Sequence, residues 1–287
     1  MENLNNKVKS LRQSPRGQMA AFFCVLAFFV LSLVVPSAIT GALFFLVLFA
    51  FTLLLPTKGL AFLILYFPAR PFYIEINAFL KIAGEVVVFA ALLHVLWASR
   101  KNLKSLFHFY AFEWGFFAFC AIGSAGAFLN GVSMMAIITQ LRAFLLLYLV
   151  FYVMKRLAIK KDDINWYIFM TVAMGVLLAF LGIIEKVSDK TWLFPAAWEY
   201  FSISSTNGGR VYGLAKNPNV LASFLLIAVF AAIYLKGRLS GWKHKLAWVA
   251  ILLIGTAAVL TYSRGTLLAF AVGFVVYVIW KRNWKQT

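Results

Sequence analysis

Long apolar runs alternate with short polar connections along almost the whole chain, and this spacing predicts membrane-spanning helices. An apolar helix needs about 20 residues to cross a bilayer, with a working range of about 17–25. The pattern therefore predicts an all-α fold, a polytopic transmembrane helical bundle of about 10 spans. The predicted spans are 19–35, 41–56, 59–73, 83–98, 106–129, 134–154, 166–185, 218–235, 246–262 and 265–280.

The second and third predicted spans are short and meet at Pro56-Thr57-Lys58-Gly59. We expect one of them to be re-entrant or tilted. The first apolar run follows basic residues, as the apolar part of a signal peptide would, but no small-residue cleavage pattern follows it. Because it leads directly into another apolar run, we expect a retained first helix.

Composition supports a membrane protein and excludes other classes. Hydrophobic residues make up 63% of the 287-residue chain and charged residues 13%, whereas soluble domains carry about 25% charged residues. Both cysteines, Cys24 and Cys120, lie inside apolar runs, and no Cys/His spacing typical of a metal site occurs. We therefore expect neither a metal nor a cofactor.

The net charge of +18 would suit a nucleic-acid partner, but the positions of the cations indicate membrane topology instead. Basic residues cluster between the apolar runs, and cytoplasmic connections carry an excess of Lys and Arg. With the N-terminus in the cytoplasm, six basic clusters fall on the cytoplasmic side. They lie at 7–16, 58, 100–104, 155–161, 236–245 and 281–285. We therefore expect a lipid bilayer as partner and no nucleic acid.

This topology divides the chain into three parts, with both termini in the cytoplasm. We predict a basic N-terminus at 1–18, a transmembrane helical domain at 19–280 and a basic tail at 281–287. The longest outer connection is an exoplasmic loop at about 186–217. The other predicted outer segments are 36–40, about 74–82, 130–133 and the turn at 263–264.

Three ionisable residues fall within predicted spans, where a charge is costly without a partner or a role. Arg142 lies inside its span, Glu113 lies in the preceding span and Glu85 lies near the outer end of the fourth. Two readings stay open. Either Arg142 and one of the carboxylates form a buried structural pair, or Arg142 faces an outward-opening cavity and binds an anion.

The polar stretch RVYGLAKNPN, which begins at Arg210, precedes the eighth span on the predicted outer face. Asn217 is predicted to cap the helix that begins at Pro218, so that unpaired N–H groups and the positive end of the helix dipole point outward. Lys216 lies beside this helix start, and Arg264 occupies the outer turn between the last two spans. These groups either form a cradle for phosphate or pyrophosphate, or the cations snorkel to lipid headgroups and the Asn-Pro pair only starts a helix.

The spacing of these residues resembles the O-antigen ligase / polysaccharide polymerase family. The resemblance is carried by Arg210–x–x–Gly213–x–x–x–Asn217–Pro218–Asn219–x–Leu221–Ala222 and, further along the chain, by Ser263–Arg264–Gly265. It covers roughly residues 200–280, and the remaining spans resemble the family only in hydropathy. The family consists of polytopic bacterial inner-membrane enzymes with a GT-C-type glycosyltransferase fold.

The resemblance implies a metal-independent transfer on the exoplasmic face of the bacterial cell membrane. A glycan would pass from an undecaprenyl-pyrophosphate carrier to another glycan or a lipid-linked acceptor, as in a surface polysaccharide ligase or polymerase. By this resemblance Arg210 and Arg264 clamp the pyrophosphate and stabilise the leaving charge, with Lys216 as a secondary contact. The helix start and loop geometry would depend on Gly213, Asn217, Pro218, Asn219, Ser263 and Gly265.

One feature of the family is absent from the sequence. Family members usually continue into further spans and a large exoplasmic loop with a histidine that activates the acceptor hydroxyl, whereas His94, His108 and His244 all lie toward the predicted cytoplasmic side. No catalytic residue is therefore identified, and we expect a truncation point at 281–287 or a natural short form. Two other hypotheses stay open: a transporter or flippase of lipid-linked or anionic substrates that uses Arg142, and a structural membrane partner.

Overall fold

The structure is a computed structural model that describes residues 14–188, 194–195, 198 and 209–283. In this part of the chain the regular elements are α-helices and short 3₁₀-helices, with no β-strand. The all-α prediction is therefore confirmed for the described residues.

The α-helices follow one another through short connections. They are α1 (Pro15–Val34), α2 (Ala38–Leu54), α3 (Pro56–Tyr66), α4 (Arg70–Ile76), α5 (Ala83–Ala98), α6 (Ala111–Leu129), α7 (Met134–Arg156), α8 (Lys161–Val187), α9 (Pro218–Lys236), α10 (Gly241–Leu260) and α11 (Arg264–Asn283). Short 3₁₀-helices span Phe67–Ala69, Ala78–Ile82, Leu103–Phe107 and Gly213–Ala215.

Eight helical segments in the described part of the chain are long and apolar enough to cross a membrane. They are α1, the α3–α4 segment Pro56–Ile76, the segment Ala78–Ala98 that contains α5, and the helices α6 to α10. The helix α2 and the Arg264–Val276 part of α11 are apolar but shorter. These helices indicate a multi-pass membrane protein in a lipid bilayer, whereas the count of ten spans stays a prediction.

The third predicted span is interrupted in the structure, and the fifth begins later than predicted. The third span, predicted at 59–73, lies within Pro56–Ile76, where a 3₁₀-helix separates α3 from α4. Pro68 and Pro71 lack the backbone donor that a regular helix needs at those positions, which explains the break. The fifth span, predicted at 106–129, begins only with α6 at Ala111. The expectation that the second or the third span is re-entrant or tilted stays a prediction.

Serine residues start several of the helices. Ser14, Ser37 and Ser133 each accept a hydrogen bond from a backbone N–H in the first turn of α1, α2 and α7. At α2 the bonding is reciprocal, because Thr40 Oγ1 accepts a hydrogen bond from the backbone N–H of Ser37. Such caps satisfy amide groups that have no partner inside the helix. Short polar connections are therefore sufficient to start these apolar helices.

The chain forms two compact units. Unit 1 consists of Met1–Leu60 and Ile82–Lys160, and unit 2 consists of Ala61–Lys81 and Lys161–Thr287. Within unit 1, α2 packs against α1 and α5, and α7 packs against α5 and α6. The side chains of Phe44, Leu48 and Val87 are fully buried.

Within unit 2, α8, α9 and α10 pack against one another, and α11 packs on α9. The helices approach closely at Gly175 of α8, where an added Cβ would lie 2.5 Å from Ala228 Cβ of α9 and 3.3 Å from Ile254 Cδ1 of α10. Small residues allow this kind of close packing between membrane helices. The 3₁₀-helix Gly213–Ala215 packs against α4, α8 and α9, so this helix bundle supports the segment that carries the cationic stretch.

The variant Gly175→Ala is expected to destabilise the packing of α8, α9 and α10, because its methyl group would overlap Ala228. Overpacking of this kind costs about 1–3 kcal/mol. Thermal unfolding of the purified protein in detergent measures the loss. The matched control is Gly255→Ala on α10, where an added Cβ meets nothing within 4 Å. Equal melting temperatures for the two variants would contradict the close contact at Gly175.

Candidate functional site

Hydrogen bonds join the two halves of the sequence motif. The backbone N–H of Val211 donates to the carbonyl of Leu260 at 3.2 Å, and Arg210 Nε donates to the carbonyl of Thr261 at 2.7 Å. Both acceptors lie where α10 ends, just before the turn that leads to Arg264 at the start of α11. The stretch before α9 and the Ser-Arg-Gly turn are therefore neighbours in unit 2.

Arg210 also connects this turn to the first turn of α9. Its Nη2 donates to Asn219 Oδ1 at 2.8 Å, and the side chain is partly buried. The carbonyl of Thr261 and the amide of Asn219 are both neutral, so neither of these two acceptors cancels the charge of the guanidinium group. Arg210 thus combines a structural role in the loop with a cationic group at the predicted outer face.

The predicted start of α9 is confirmed. Asn217 is the N-cap, and its Oδ1 accepts hydrogen bonds from the backbone N–H of Asn219 at 2.9 Å and of Val220 at 3.3 Å. Pro218 occupies the first turn and is buried. The expectation of unpaired N–H groups at this helix end needs a correction, because the asparagine side chain already satisfies two of them. The helix dipole remains, but fewer amide donors face outward than we predicted.

Two of the residues that precede the Asn217 cap have a left-handed backbone conformation. Gly213 has a φ of 53° and Lys216 a φ of 56°. An added Cβ at Gly213 would lie 3.2 Å from Leu221 Cδ2, so glycine suits this position both in conformation and in space. The Lys216 Nζ lies 5.2 Å from the centroid of the Trp198 ring, within the range of a cation–π contact.

A buried carboxylate holds this segment in place. Glu185 of α8 is 1% exposed, and its Oε1 and Oε2 accept hydrogen bonds from the backbone N–H of Tyr212 at 3.2 Å and of Gly213 at 2.7 Å. Glu185 was not among the predicted site residues. The feature of the sequence that could have identified it is its position, because it is a carboxylate at the end of an otherwise apolar run, just before the long outer loop.

The Ser-Arg-Gly turn combines a buried serine with an exposed arginine. Ser263 is 4% exposed, and its Oγ lies 2.9 Å from Thr266 Oγ1 in the first turn of α11. Arg264 and Gly265 are exposed at the start of the same helix. Within the described residues the side chain of Arg264 makes no hydrogen bond or ion pair, so its guanidinium group is available to a ligand.

Further charged and aromatic residues border the same segment. Lys186 Nζ donates to the carbonyl of Gly209 at 2.7 Å and lies 5.3 Å from the centroid of the Tyr262 ring. Lys186 therefore contacts both sides of the site. Trp198 is buried and donates from Nε1 to Glu75 Oε2 at 3.3 Å.

In unit 1 the structure pairs Arg142 with Glu85 rather than with Glu113. The two side chains are 53% and 28% exposed, so the pair is less buried than the structural reading expected. Glu113 lies in the first turn of α6 and contacts Lys155 Nζ at 2.5 Å and Tyr148 OH at 2.8 Å. Because α6 begins later than predicted, Glu113 lies at a helix end instead of deep within a span.

A cavity of about 370 Å³ lies between α6 and α7 of unit 1. Its lining is mainly apolar and includes Phe119 and Gly123, with Ser124 and Gln140 among the polar exceptions. Arg142 does not line it. Within the described part of the chain, no group of three or more His, Cys, Asp or Glu residues lies close enough to hold a metal ion.

The variant Glu185→Gln is expected to destabilise the segment at Tyr212 and Gly213. A glutamine offers one acceptor oxygen where two backbone N–H groups need acceptors, and an unsatisfied buried donor costs about 1–3 kcal/mol. Thermal unfolding in detergent, combined with amide hydrogen exchange at residues 211–215, measures this loss. The control Asp162→Asn removes an exposed carboxylate from the same helix. An unchanged exchange rate at residues 211–215 in Glu185→Gln would contradict this role of Glu185.

Comparison with known proteins identified no relative of this chain. No protein-family model matches the chain, and neither the curated proteins nor the solved structures gave a match. The evidence for a function therefore lies in the geometry of the site and in the two sequence motifs.

Proposed function

We propose that this chain takes part in glycan transfer at the exoplasmic face of a bacterial cell membrane, as a surface polysaccharide ligase or polymerase of the O-antigen ligase type. The donor is a glycan on an undecaprenyl-pyrophosphate carrier, and the acceptor is another glycan or a lipid-linked sugar. The observation that carries the proposal is the pair of hydrogen bonds from residues 210 and 211 to residues 260 and 261. They bring together two motifs that are distant in sequence.

The contacts within unit 2 are consistent with the predicted topology. Three segments predicted on the outer face meet there, since Glu75 contacts Trp198 and Arg210 contacts Thr261. At the opposite end of the helices, Arg238 Nη1 lies 3.4 Å from Asn165 Oδ1, and both residues belong to predicted cytoplasmic connections. These contacts are consistent with the alternation of faces on which the proposal of ten spans with both termini in the cytoplasm rests.

Unit 1 follows the same division between the two faces. Arg142 contacts Glu85 toward the predicted outer side. Toward the predicted cytoplasmic side, Arg156 Nη2 donates to the carbonyl of Leu106 at 2.7 Å, and His94 Nδ1 lies 2.8 Å from the carbonyl oxygen of Leu53. Loss of one crossing between two of these contacting segments would put residues predicted on opposite faces in contact.

The cations of the site suit a leaving pyrophosphate. When the bond between the sugar and the carrier breaks, negative charge develops on the pyrophosphate, and cations that are already in position stabilise it. Arg264 is exposed at a helix start, and Arg210 is oriented by two hydrogen bonds. Lys216 is a secondary contact. Guanidinium groups bind phosphate oxygens in a forked geometry that an ammonium group does not reproduce. By the resemblance of the two motifs we also propose a GT-C-type fold.

The transporter or flippase hypothesis receives less support. Transporters concentrate polar groups near the bilayer midplane, whereas Glu113 lies in the first turn of α6 and contacts Lys155. Arg142 has Glu85 as a partner, which reduces its capacity to attract an anionic substrate. The polar groups most distinctive of this chain lie at the predicted outer interface.

The variants Arg210→Ala and Arg264→Ala are each expected to abolish surface-glycan attachment or chain extension in cells. Loss of one preorganised donor lowers the rate about 100- to 1000-fold, and Lys at either position should restore little of it. Glycan attachment is measured by gel analysis of surface polysaccharide, and membrane fractionation verifies insertion of each variant.

The matched control is Arg238→Ala, which removes a cation at the predicted cytoplasmic end of α9 and should leave transfer unchanged. Full activity in both Arg210→Ala and Arg264→Ala would show that the pyrophosphate clamp is wrong. An equal loss in Arg238→Ala would instead point to a general dependence on positive charge.

A further inference from the structure

Lys186 is a cation at the predicted outer face to which the resemblance assigns no role. It lies in the last turn of α8 and is exposed. Within the described part of the chain its ammonium group forms no ion pair, so no carboxylate there neutralises its charge. Membrane proteins place most of their Lys and Arg residues on the cytoplasmic side. Topology alone therefore does not explain a cation at this position.

Two contacts place the Lys186 ammonium group between the two halves of the motif. Its Nζ donates to the carbonyl of Gly209 at 2.7 Å. That carbonyl belongs to the peptide bond with Arg210, so Nζ lies within about 5 Å of the Arg210 backbone nitrogen. Nζ also lies 5.3 Å from the centroid of the Tyr262 ring, within the range of a cation–π contact. Because Tyr262 is followed by Ser263 and Arg264, Lys186 borders both arginine-bearing segments.

The end of α8 holds this region through two successive residues. Glu185 accepts hydrogen bonds from the backbone N–H groups of residues 212 and 213, and Lys186 donates to the carbonyl of Gly209. One helix end thus fixes the stretch from 209 to 213 at both of its ends. The ammonium group is consequently oriented before a ligand arrives, and oriented cations stabilise a developing charge without reorganisation.

The backbone of Tyr262 indicates that its side chain has a function. Tyr262 has a φ of 49°, a left-handed conformation that favours glycine and is uncommon for a bulky residue. Among the described residues the other non-glycine residue with a positive φ is Lys216, at the start of α9. Such conformations cluster at functional sites. The Tyr262 side chain is 53% exposed, so packing in a core does not explain a tyrosine here.

We propose that Lys186 is a further binding residue for the pyrophosphate of the lipid carrier and that Tyr262 is its positioning residue, an inference that rests on the proposed function. A donor pyrophosphate is esterified at both ends, and its release from the sugar leaves one oxygen free and negatively charged. A contact that strengthens as this charge develops favours transfer. An ammonium group has three N–H donors, and Gly209 occupies one of them, so Lys186 can donate to the released pyrophosphate.

The test measures binding of undecaprenyl pyrophosphate to the full chain in phosphatidylcholine nanodiscs, as the ligand-dependent rise in melting temperature. The variant Lys186→Gln keeps an N–H donor for the carbonyl of Gly209 but removes the charge. Loss of a hydrogen bond from a charged donor should raise the Kd about 10- to 100-fold. The melting temperature without ligand should stay at the wild-type value, because the structural hydrogen bond is kept.

The matched control is Lys243→Gln, which removes an exposed lysine from the predicted cytoplasmic end of α10. It should bind undecaprenyl pyrophosphate as the wild type does. Wild-type affinity in Lys186→Gln would show that only the hydrogen bond to Gly209 matters, and the binding role would be wrong. An equal loss in Lys243→Gln would also contradict it, because the effect would then follow from net charge alone.

Two variants of Tyr262 separate the ring from the backbone. Tyr262→Gly removes the ring but suits the left-handed conformation. It should weaken binding of undecaprenyl pyrophosphate, while the melting temperature without ligand stays at or above the wild-type value. Tyr262→Phe keeps the aromatic face and should lose less affinity than Tyr262→Gly. Wild-type affinity in Tyr262→Gly would exclude a positioning role for the ring.

The phosphate of an ordinary lipid headgroup has the same chemistry as the carrier, and a second ligand distinguishes the two sources. Phosphatidylglycerol, titrated in place of undecaprenyl pyrophosphate, should give a smaller rise in melting temperature that Lys186→Gln does not alter. If Lys186→Gln weakens the effect of both ligands equally, Lys186 is an interfacial anchor to lipid headgroups, and the proposal is wrong.

The proposed function and the role of Lys186 fail in different ways. If Arg210→Ala and Arg264→Ala lose binding of undecaprenyl pyrophosphate while Lys186→Gln keeps it, the role of Lys186 is wrong and the proposed pyrophosphate site stands. If undecaprenyl pyrophosphate does not stabilise even the wild type, the proposed function fails, and the role of Lys186 fails with it.

Discussion

The hydrogen bonds between the Glu185 carboxylate and the backbone of residues 212 and 213 are the constraint on which the site depends. A charge that is 1% exposed at the end of an apolar helix is costly unless hydrogen bonds compensate for its desolvation. Two backbone N–H groups provide that compensation. They fix the chain where it turns into the 3₁₀-helix before α9, so the positions of Lys216 and of the Asn217 cap follow from this interaction.

The parts of the structure that depend on local rules were predictable from the sequence. Asn217 followed by Pro218 predicts a helix start because capping requires only neighbouring residues, and the structure has α9 begin at Pro218. The contacts of Glu185 and Arg210 were not predictable. They join residues 27 and 51 positions apart in the chain, and hydropathy contains no information on which backbone group a side chain will meet.

The surroundings of Glu113 depend on where α6 begins, a boundary that the apolar pattern leaves uncertain. Residues 106–110 are mostly apolar or aromatic, so hydropathy extends the fifth span through them, whereas α6 begins at Ala111. That difference moves Glu113 into the first turn, where its Oε2 accepts from the backbone N–H of Tyr110 at 2.7 Å. Arg142 has Glu85 as its partner, one of the two carboxylates between which the sequence left the choice open.

The two arginines of the motif differ in how they serve the site. Arg210 is held by Thr261 and Asn219, so its charge is oriented before any ligand arrives, and preorganised charges stabilise a transition state without reorganisation at the moment of reaction. The same bonds make Arg210 part of the loop, and substitutions there affect folding as well as binding. Arg264 is exposed at the start of α11 and has no such structural role within the described residues. A loss of function at Arg264 with unchanged stability therefore speaks more directly for a ligand than any loss at Arg210.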